Sequence, residues 1–202
     1  MKGFFTMFKD SAKEMVTLKG ICLMGMLIAV HLFIGTFASI PIGSTIKISF
    51  SFLALAAIGM LLGPTAGAVA GIITDILGFL FINKTGGAFH PGFTLVQLLA
   101  GLFYGIFLYR ARYSYSKENR ADILRFFVRC VLCKLCIVIV CNLLLNTYFC
   151  SILYGKGFMA MLPGRFIKNA IQFPVDVVLM SIILPAVGVA FDKIMRKKRT
   201  AA

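Results

Sequence analysis

The sequence has few charged residues, and acidic ones are especially scarce. Only 14% of its 202 residues are charged, seven Asp and Glu against 21 Lys and Arg, while 60% are hydrophobic and the mean hydropathy is +0.95. Soluble domains are about half apolar and about a quarter charged, so this composition argues against a water-soluble globule. The net charge of +14 does not indicate a nucleic-acid partner, because cytoplasmic loops of membrane proteins collect Lys and Arg.

Motifs that carry catalysis are also missing from the sequence. It contains no G-x-x-x-x-G-K-[ST] phosphate loop, no H-E-x-x-H zinc motif and no G-x-S-x-G nucleophile motif. We also find no inverted-repeat signal of the kind that many secondary transporters show. We therefore expect a protein that is not an enzyme, has no ATPase domain and binds no cofactor of its own.

The six cysteines make a poor metal site. Cys130, Cys133 and Cys136 are spaced by three, but zinc sites usually pair such cysteines with a second cluster, and the sequence has none. All six cysteines lie in or beside apolar runs. We interpret them as small buried membrane residues and predict no metal site.

Long apolar runs predict an all-α integral membrane protein, a bundle of six transmembrane helices. A span needs about 17–25 largely apolar residues. The six candidate segments lie at about residues 20–40, 48–63, 66–82, 93–109, 130–150 and 163–191.

The predicted organisation is a single transmembrane domain with a short extension at each end. Residues 1–19 mix charges with Phe and Met and are interpreted as a cytoplasmic, interfacial helix. Residues 20–192 form the six-helix domain, and residues 193–202 form a basic cytoplasmic tail. A tight turn at residues 63–65 joins the second and third segments.

The positions of Lys and Arg predict that both termini are cytoplasmic. With that orientation fifteen of the 21 basic residues fall inside, within residues 2–19, 110–129 and 193–199. Only Lys47, Lys84, Lys156 and Arg165 fall outside, and Lys134 and Lys168 lie within spans. Such a bias is typical of multi-pass proteins of the plasma membrane.

The last segment carries a row of polar residues. They recur at intervals of three and four, and the row consists of Arg165, Lys168, Asn169, Gln172 and Asp176. At about 100° per residue they share one helix face, with Pro174 opposite. Ionisable groups in a span cost about 2.5–3.5 kcal/mol each, so they need a function or a partner. The row either lines a ligand cavity or joins helices, and two cations with an acid favour the cavity.

Small residues with single polar groups mark faces of three other segments. Gly67, Gly71, Asp75 and Gly78 share a face of the third segment, where Asp75 either pairs across a helix contact or supports a pocket. Thr94, Gln97, Gly101 and Gly105 share a face of the fourth. Gly25 and Ala29 form a small-xxx-small pair in the first, followed by His31, which we interpret as a hydrogen-bonded interior residue.

A glycine-rich loop precedes the fourth segment. It spans residues 83–92, and Phe89, His90 and Phe93 flank the helix entry. Aromatic residues beside a flexible loop at the mouth of a polar cavity are compatible with a lid. An ordinary connector explains the same spacing equally well.

Several short stretches together resemble the substrate-binding (S) components of energy-coupling-factor (ECF) vitamin importers, in particular the folate subfamily. The likeness covers about residues 20–185 and is carried by MGMLIAV (24–30), KISF (47–50), GMLLGP (59–64), DILG (75–78), FHPGFT (89–94) and RFIKN (165–169). The resemblance implies a bacterial six-helix component with an outward-facing vitamin pocket. It also implies a membrane coupling protein (T component) and two ABC-type ATPases as partners, with Gly25 and Ala29 on the face that meets the coupling protein.

Folate chemistry suggests a role for each candidate residue. A carboxylate accepts paired donors of a pterin ring, which is the role expected of Asp176. Cations near the outer mouth, namely Lys47, Arg165 and Lys168, would hold the anionic tail. Phe89 and Phe93 would stack on the rings, and His90, Gln97, Asn169 and Gln172 complete the expected binding set. Two positions depart from the folate pattern, Thr36 where Arg is frequent and Asp176 where Glu is frequent.

Three other functions remain compatible with these residues. The same family includes components for other vitamins and small metabolites. A small intramembrane enzyme or regulator would use Asp75 and Asp176, and a self-sufficient secondary transporter would need no ATPase.

Overall fold

The computed structural model of the chain describes residues 2–37, 39–42, 46–82, 90–109, 111, 120–155 and 157–200. Within these described residues, the main elements are eight α-helices, one π-helical segment and two strands. They are α1 (Lys2–Val16), α2 (Leu18–Phe37), β1 (Ser39–Ile42), β2 (Ile46–Ser49), α3 (Phe52–Leu62), α4 (Pro64–Ile82), α5 (Pro91–Leu108), α6 (Arg120–Cys136), the π segment (Ile137–Asn146), α7 (Thr147–Tyr154) and α8 (Phe158–Thr200).

Five helical stretches of the described chain are long and apolar enough to cross a membrane. They cover Leu18–Phe37, Pro64–Phe81, Pro91–Leu108, Asp122–Leu153 and Phe158–Phe191. The protein is therefore a multi-pass membrane protein, and the predicted helical membrane architecture is confirmed at this level. The first predicted segment and the third to sixth correspond to these stretches.

The second predicted segment, 48–63, is shorter than expected. The structure gives it only the eleven residues of α3, Phe52–Leu62, which rise about 16 Å and cannot cross a bilayer alone. Ten of the eleven α3 residues are buried. The helix packs against α2, α4, α5 and α8, so its high hydropathy reflects burial inside the bundle rather than exposure to lipid.

A short antiparallel hairpin, which the sequence did not predict, precedes α3. Strand β1 pairs with β2 in a register that places Ser39 opposite Ser49 and Ile42 opposite Ile46. Isolated hairpins are only marginally stable. The alternating pattern covers only eight residues between two apolar segments, which is too few to predict two strands from the sequence.

The tight turn between α3 and α4 is confirmed. Gly63 has φ = +91°, a conformation that favours glycine, and Pro64 is the first residue of α4. The Ser11 hydroxyl of α1 donates to the Leu62 carbonyl oxygen over 2.7 Å and accepts from the Thr65 backbone N–H over 3.1 Å. This contact attaches α1 to the turn.

The fifth and sixth membrane segments begin earlier than predicted. Helix α6 starts at Arg120 rather than near residue 130. Charged residues form helices readily but lower the hydropathy, so a hydropathy criterion does not detect the first ten residues of this helix. Helix α8 starts at Phe158, so Pro163 lies inside it rather than at its entry, and it continues to Thr200 through the predicted tail.

Candidate ligand-binding site

The polar row of α8 faces the inside of the bundle, as its spacing predicts. Asp176 is buried, while Arg165, Lys168, Asn169 and Gln172 are partly buried. Residues between them, among them Ile167, Ile171 and Pro174, are exposed on the opposite side of the helix. The five polar residues therefore form one continuous inward strip along α8.

Asp176 is held by a lysine from another helix. The Lys134 Nζ of α6 lies 2.8 Å from the Asp176 Oδ2, and the two side chains are only 6% and 1% exposed. The same Nζ lies 4.2 Å from the centre of the Phe52 ring at the beginning of α3, a cation–π contact. Three helices thus meet around one buried ion pair.

A second polar contact joins the α8 strip to the π segment. The Asn142 Nδ2 donates to the Asn169 Oδ1 over 3.0 Å, and the Asn169 Nδ2 donates to the Arg165 carbonyl oxygen over 2.9 Å. The amide of Asn169 is therefore engaged within the bundle, which orients it but leaves it little capacity for a ligand.

Sequence reasoning did not include Lys134 and Asn142 in the candidate site. Lys134 was recognisable as an ionisable residue in a span, but its partner lies 42 positions away in the sequence. Asn142 stands in an apolar run, and its orientation depends on the π segment, which has no local sequence signature.

Close helix packing explains Gly67 and Gly71 of α4 and Gly101 and Gly105 of α5, but not Gly78, where an added Cβ would meet no described atom within 4 Å. A Cβ on Gly67 would lie 2.3 Å from the Gly101 carbonyl oxygen, and one on Gly71 would lie 2.3 Å from the Gln97 carbonyl oxygen. At the end of this contact, the Thr94 hydroxyl donates to the Asp75 Oδ2 over 2.7 Å. Asp75 therefore pairs across the helix contact, one of the two predicted roles.

His90, at the beginning of α5, lies in an aromatic cluster. Its Nδ1 accepts from the Gly92 backbone N–H over 3.1 Å, so the side chain caps the helix. Its ring centre lies 5.8 Å from that of Phe93 and 5.4 Å from that of Phe149, which sequence reasoning had not included. Phe89 lies outside the described residues, as do most of the glycine-rich loop and the side chain of Lys47.

The residues of α2 separate into an inner and an outer face. Gly25 and Ala29 lie on the outer face, beside exposed Met26 and Phe33, whereas His31 is buried. Thr36 donates through its hydroxyl to the Leu32 carbonyl oxygen of the same helix over 2.8 Å. The structure therefore separates the small-xxx-small pair from the inward polar strip of α8.

The cysteines are free thiols with different environments. Cys130, Cys133, Cys141 and Cys150 are buried, Cys136 is partly buried and Cys22 is exposed. The interpretation as small buried residues holds for four of the six.

Known relatives of this chain belong to a bacterial transport family. A family model described as ECF transporter, substrate-specific component, matches residues 19–184. The chain is 32% identical over 135 residues to the folate transporter FolT of Clostridium novyi (strain NT), covering 67% of this chain and 70% of the relative. It is 29% identical over 184 residues to FolT of Streptococcus mutans serotype c, covering 89% and 91%.

Solved structures share the arrangement of helices. A crystal structure of FolT bound with folic acid has 34% sequence identity and a TM-score of 0.64, covering 81% of this chain and 90% of that one. The S-component for biotin from an ECF-type ABC transporter has a TM-score of 0.60 at 16% identity, covering 84% and 90%, and shows the fold alone. The fold is that of a membrane component for substrate capture. The chain belongs to the family of ECF transporter substrate-specific components.

Proposed function

We propose that this chain captures folate outside the cell for uptake driven by partner ATPases. The observation that carries the proposal is the likeness to the folic-acid-bound FolT structure, which extends over 81% of this chain at 34% identity. The inward polar strip of α8 supports it, since buried ionisable side chains in a membrane helix need a ligand or a partner.

The α8 strip supplies groups that match the two ends of folate. Asp176, deep in the bundle, accepts hydrogen bonds from the donors of the pterin ring. Arg165 and Lys168 lie two to three turns closer to the beginning of α8 and attract the glutamate carboxylates. His90 and Phe93 lie at the beginning of α5 and offer aromatic faces to the ligand rings.

The short helix α3 supports a ligand space in the outer half of the bundle. Its rise of about 16 Å is roughly half of a hydrocarbon thickness of about 30 Å. Phe52, its first residue, contacts Lys134, which pairs with Asp176. In this proposal the ligand lies on the outer side of the first residue of α3. The Lys134–Asp176 pair lies on the cytoplasmic side of the ligand.

The proposed topology has both termini in the cytoplasm, with α3 completing a six-segment bundle in the bacterial plasma membrane. Fifteen basic residues then lie inside, against four outside. The prediction is checked by fusing a fluorescent or alkaline phosphatase reporter to the C-terminus. The fluorescent fusion is expected to be active, and the phosphatase fusion inactive.

The proposed partners are a coupling protein and two ABC-type ATPases, which supply the ATP hydrolysis that this chain does not perform. Family membership supports this assembly. Gly25 and Ala29 on the outer face of α2 offer a small-residue surface against which a partner helix can pack closely.

Transport in reconstituted vesicles tests the function. With the coupling protein and ATPases present, we expect accumulation of labelled folic acid that depends on ATP, and none with this chain alone. Uptake by the chain alone would establish a secondary transporter instead. ATP-dependent accumulation of a different vitamin, but not of folic acid, would show that the chain is an ECF component whose substrate is that vitamin.

A further inference from the structure

The Lys134–Asp176 pair is one of the more costly arrangements in this protein. Both side chains are nearly inaccessible, and desolvating two charges costs several kcal/mol per ion, which the pairing repays only with good geometry. A hydrophobic pair of the same volume would fill this space at lower cost. The presence of the pair therefore suggests a role beyond joining α6 to α8.

One oxygen of the pair makes no geometrically acceptable hydrogen bond among the described residues. The Asp176 Oδ2 accepts from Lys134, whereas the Oδ1 is buried and lacks such a bond, although the Gln172 side chain one turn earlier on α8 interacts with the carboxylate. Buried polar atoms nearly always have a partner, because leaving one unsatisfied costs about 1–3 kcal/mol and more for a charged group. An oriented, unsatisfied carboxylate oxygen on the inward strip is suited to accept a hydrogen bond from a bound molecule.

The π segment places Asn142 on the same face of its helix as Lys134, so that both residues reach α8. From Lys134 to Asn142, three α-helical steps of about 100° and five π-helical steps of about 82° give about 710°, close to two turns. On α8, Asn169 and Asp176 are also about two turns apart. Two contacts, Lys134–Asp176 and Asn142–Asn169, therefore set the register of α6 against α8.

We propose that Lys134 is a positioning residue for ligand recognition: it holds the Asp176 Oδ2 so that the Oδ1 accepts a hydrogen bond from an amino or ring N–H donor at the edge of a bound heterocycle. The inference rests on the proposed function, since it assumes that the α8 strip contacts folate. Lys134 itself need not contact the ligand. Its cation–π contact with Phe52 keeps its ammonium group beside α3.

The test compares Lys134→Met and Asp176→Asn with the wild type, using two ligands. Folic acid carries the 2-amino donor, and 2-desamino-2-methyl folic acid lacks it. We expect both variants to bind folic acid about 10- to 100-fold more weakly and to lose most of the wild-type preference for folic acid over the analogue. Arg125→Met is the matched control, since Arg125 of α6 is 70% exposed in its pair with Asp122.

A second variant keeps the test informative if Lys134→Met does not fold. The double change Lys134→Met with Asp176→Asn leaves no unpaired charge, and it is expected to fold with the same reduced preference between the two ligands. An unchanged preference in the folded variants, even with reduced thermal stability, would overturn the inference but not the proposed function. A folded wild type that binds neither ligand would overturn both.

Discussion

Gly67 of α4 and Gly101 of α5 lie in backbone contact. A Cβ on Gly101 would be 2.0 Å from the Gly67 carbonyl oxygen, and a Cβ on Gly67 would be 2.3 Å from the Gly101 carbonyl oxygen. The obstacle in each case is backbone, which cannot rotate away as a side chain can. The contact holds together the two helices that carry Asp75 and Thr94.

Gly101→Ala is expected to destabilise the protein by about 1–3 kcal/mol, because the added methyl group forces α4 and α5 apart. The measurement is the midpoint of thermal unfolding in detergent. Gly78→Ala on α4 is the control, since a Cβ there meets no described atom within 4 Å. It should leave the midpoint unchanged or raise it slightly, as Ala favours helix by up to about 1 kcal/mol. Equal midpoints for the two variants would contradict the close contact.

Ser11→Ala is expected to cost about 1–2 kcal/mol of unfolding free energy. The change removes the hydroxyl that bonds the Leu62 carbonyl oxygen and the Thr65 N–H, and so detaches α1 from the turn before α4. Unfolding in denaturant, together with proteolysis of α1, measures the effect. Ser181→Ala is the control, because its hydroxyl donates to the Val178 carbonyl oxygen within its own helix rather than joining two elements among the described residues. Similar losses in both variants would refute the role of Ser11.

Thr94→Val is expected to affect stability more than ligand affinity. It removes the hydroxyl that donates to Asp75, and the cost of an unsatisfied carboxylate is about 1–3 kcal/mol. The affinity for folic acid should change less than about threefold, under 1 kcal/mol. Calorimetry and thermal unfolding of the same sample measure both effects. A large loss of affinity at unchanged stability would instead place Asp75 and Thr94 in the ligand site.

Gly25→Leu is expected to abolish ATP-driven uptake while folic acid binding stays intact. Gly25 lies on the outer face of α2, away from the α8 strip, and a large side chain there blocks close helix packing with the coupling protein. Ala170→Leu, at an exposed small residue on α8, is the control and should keep uptake. Normal uptake by the Gly25 variant would exclude this face as the interface.

Features that depend on local pattern were predictable from the sequence. The inward strip of α8 follows from spacings of three and four, and the turn at Gly63 follows from a glycine followed by a proline between apolar runs. The short length of α3 was not predictable, because hydropathy alone does not separate a buried helix from a span facing lipid.

Features that depend on distant residues were not predictable. Whether Lys134 meets Asp176 is decided by the packing of α6 against α8, and Asn142 reaches Asn169 only through the wider turns of the π segment. Sequence reasoning identified the acid, the cations and the face on which they lie. It did not identify the partner that holds the acid in place.

The most direct measurement is calorimetric titration of the purified protein in detergent with folic acid, without ATP or partner proteins. We expect tight binding of one folic acid per chain, at least about tenfold weaker in Asp176→Asn. No binding of folic acid by a protein shown to be folded would contradict folate capture. It would indicate that Thr36 and Asp176, the two departures from the folate pattern, belong to a site for a different vitamin.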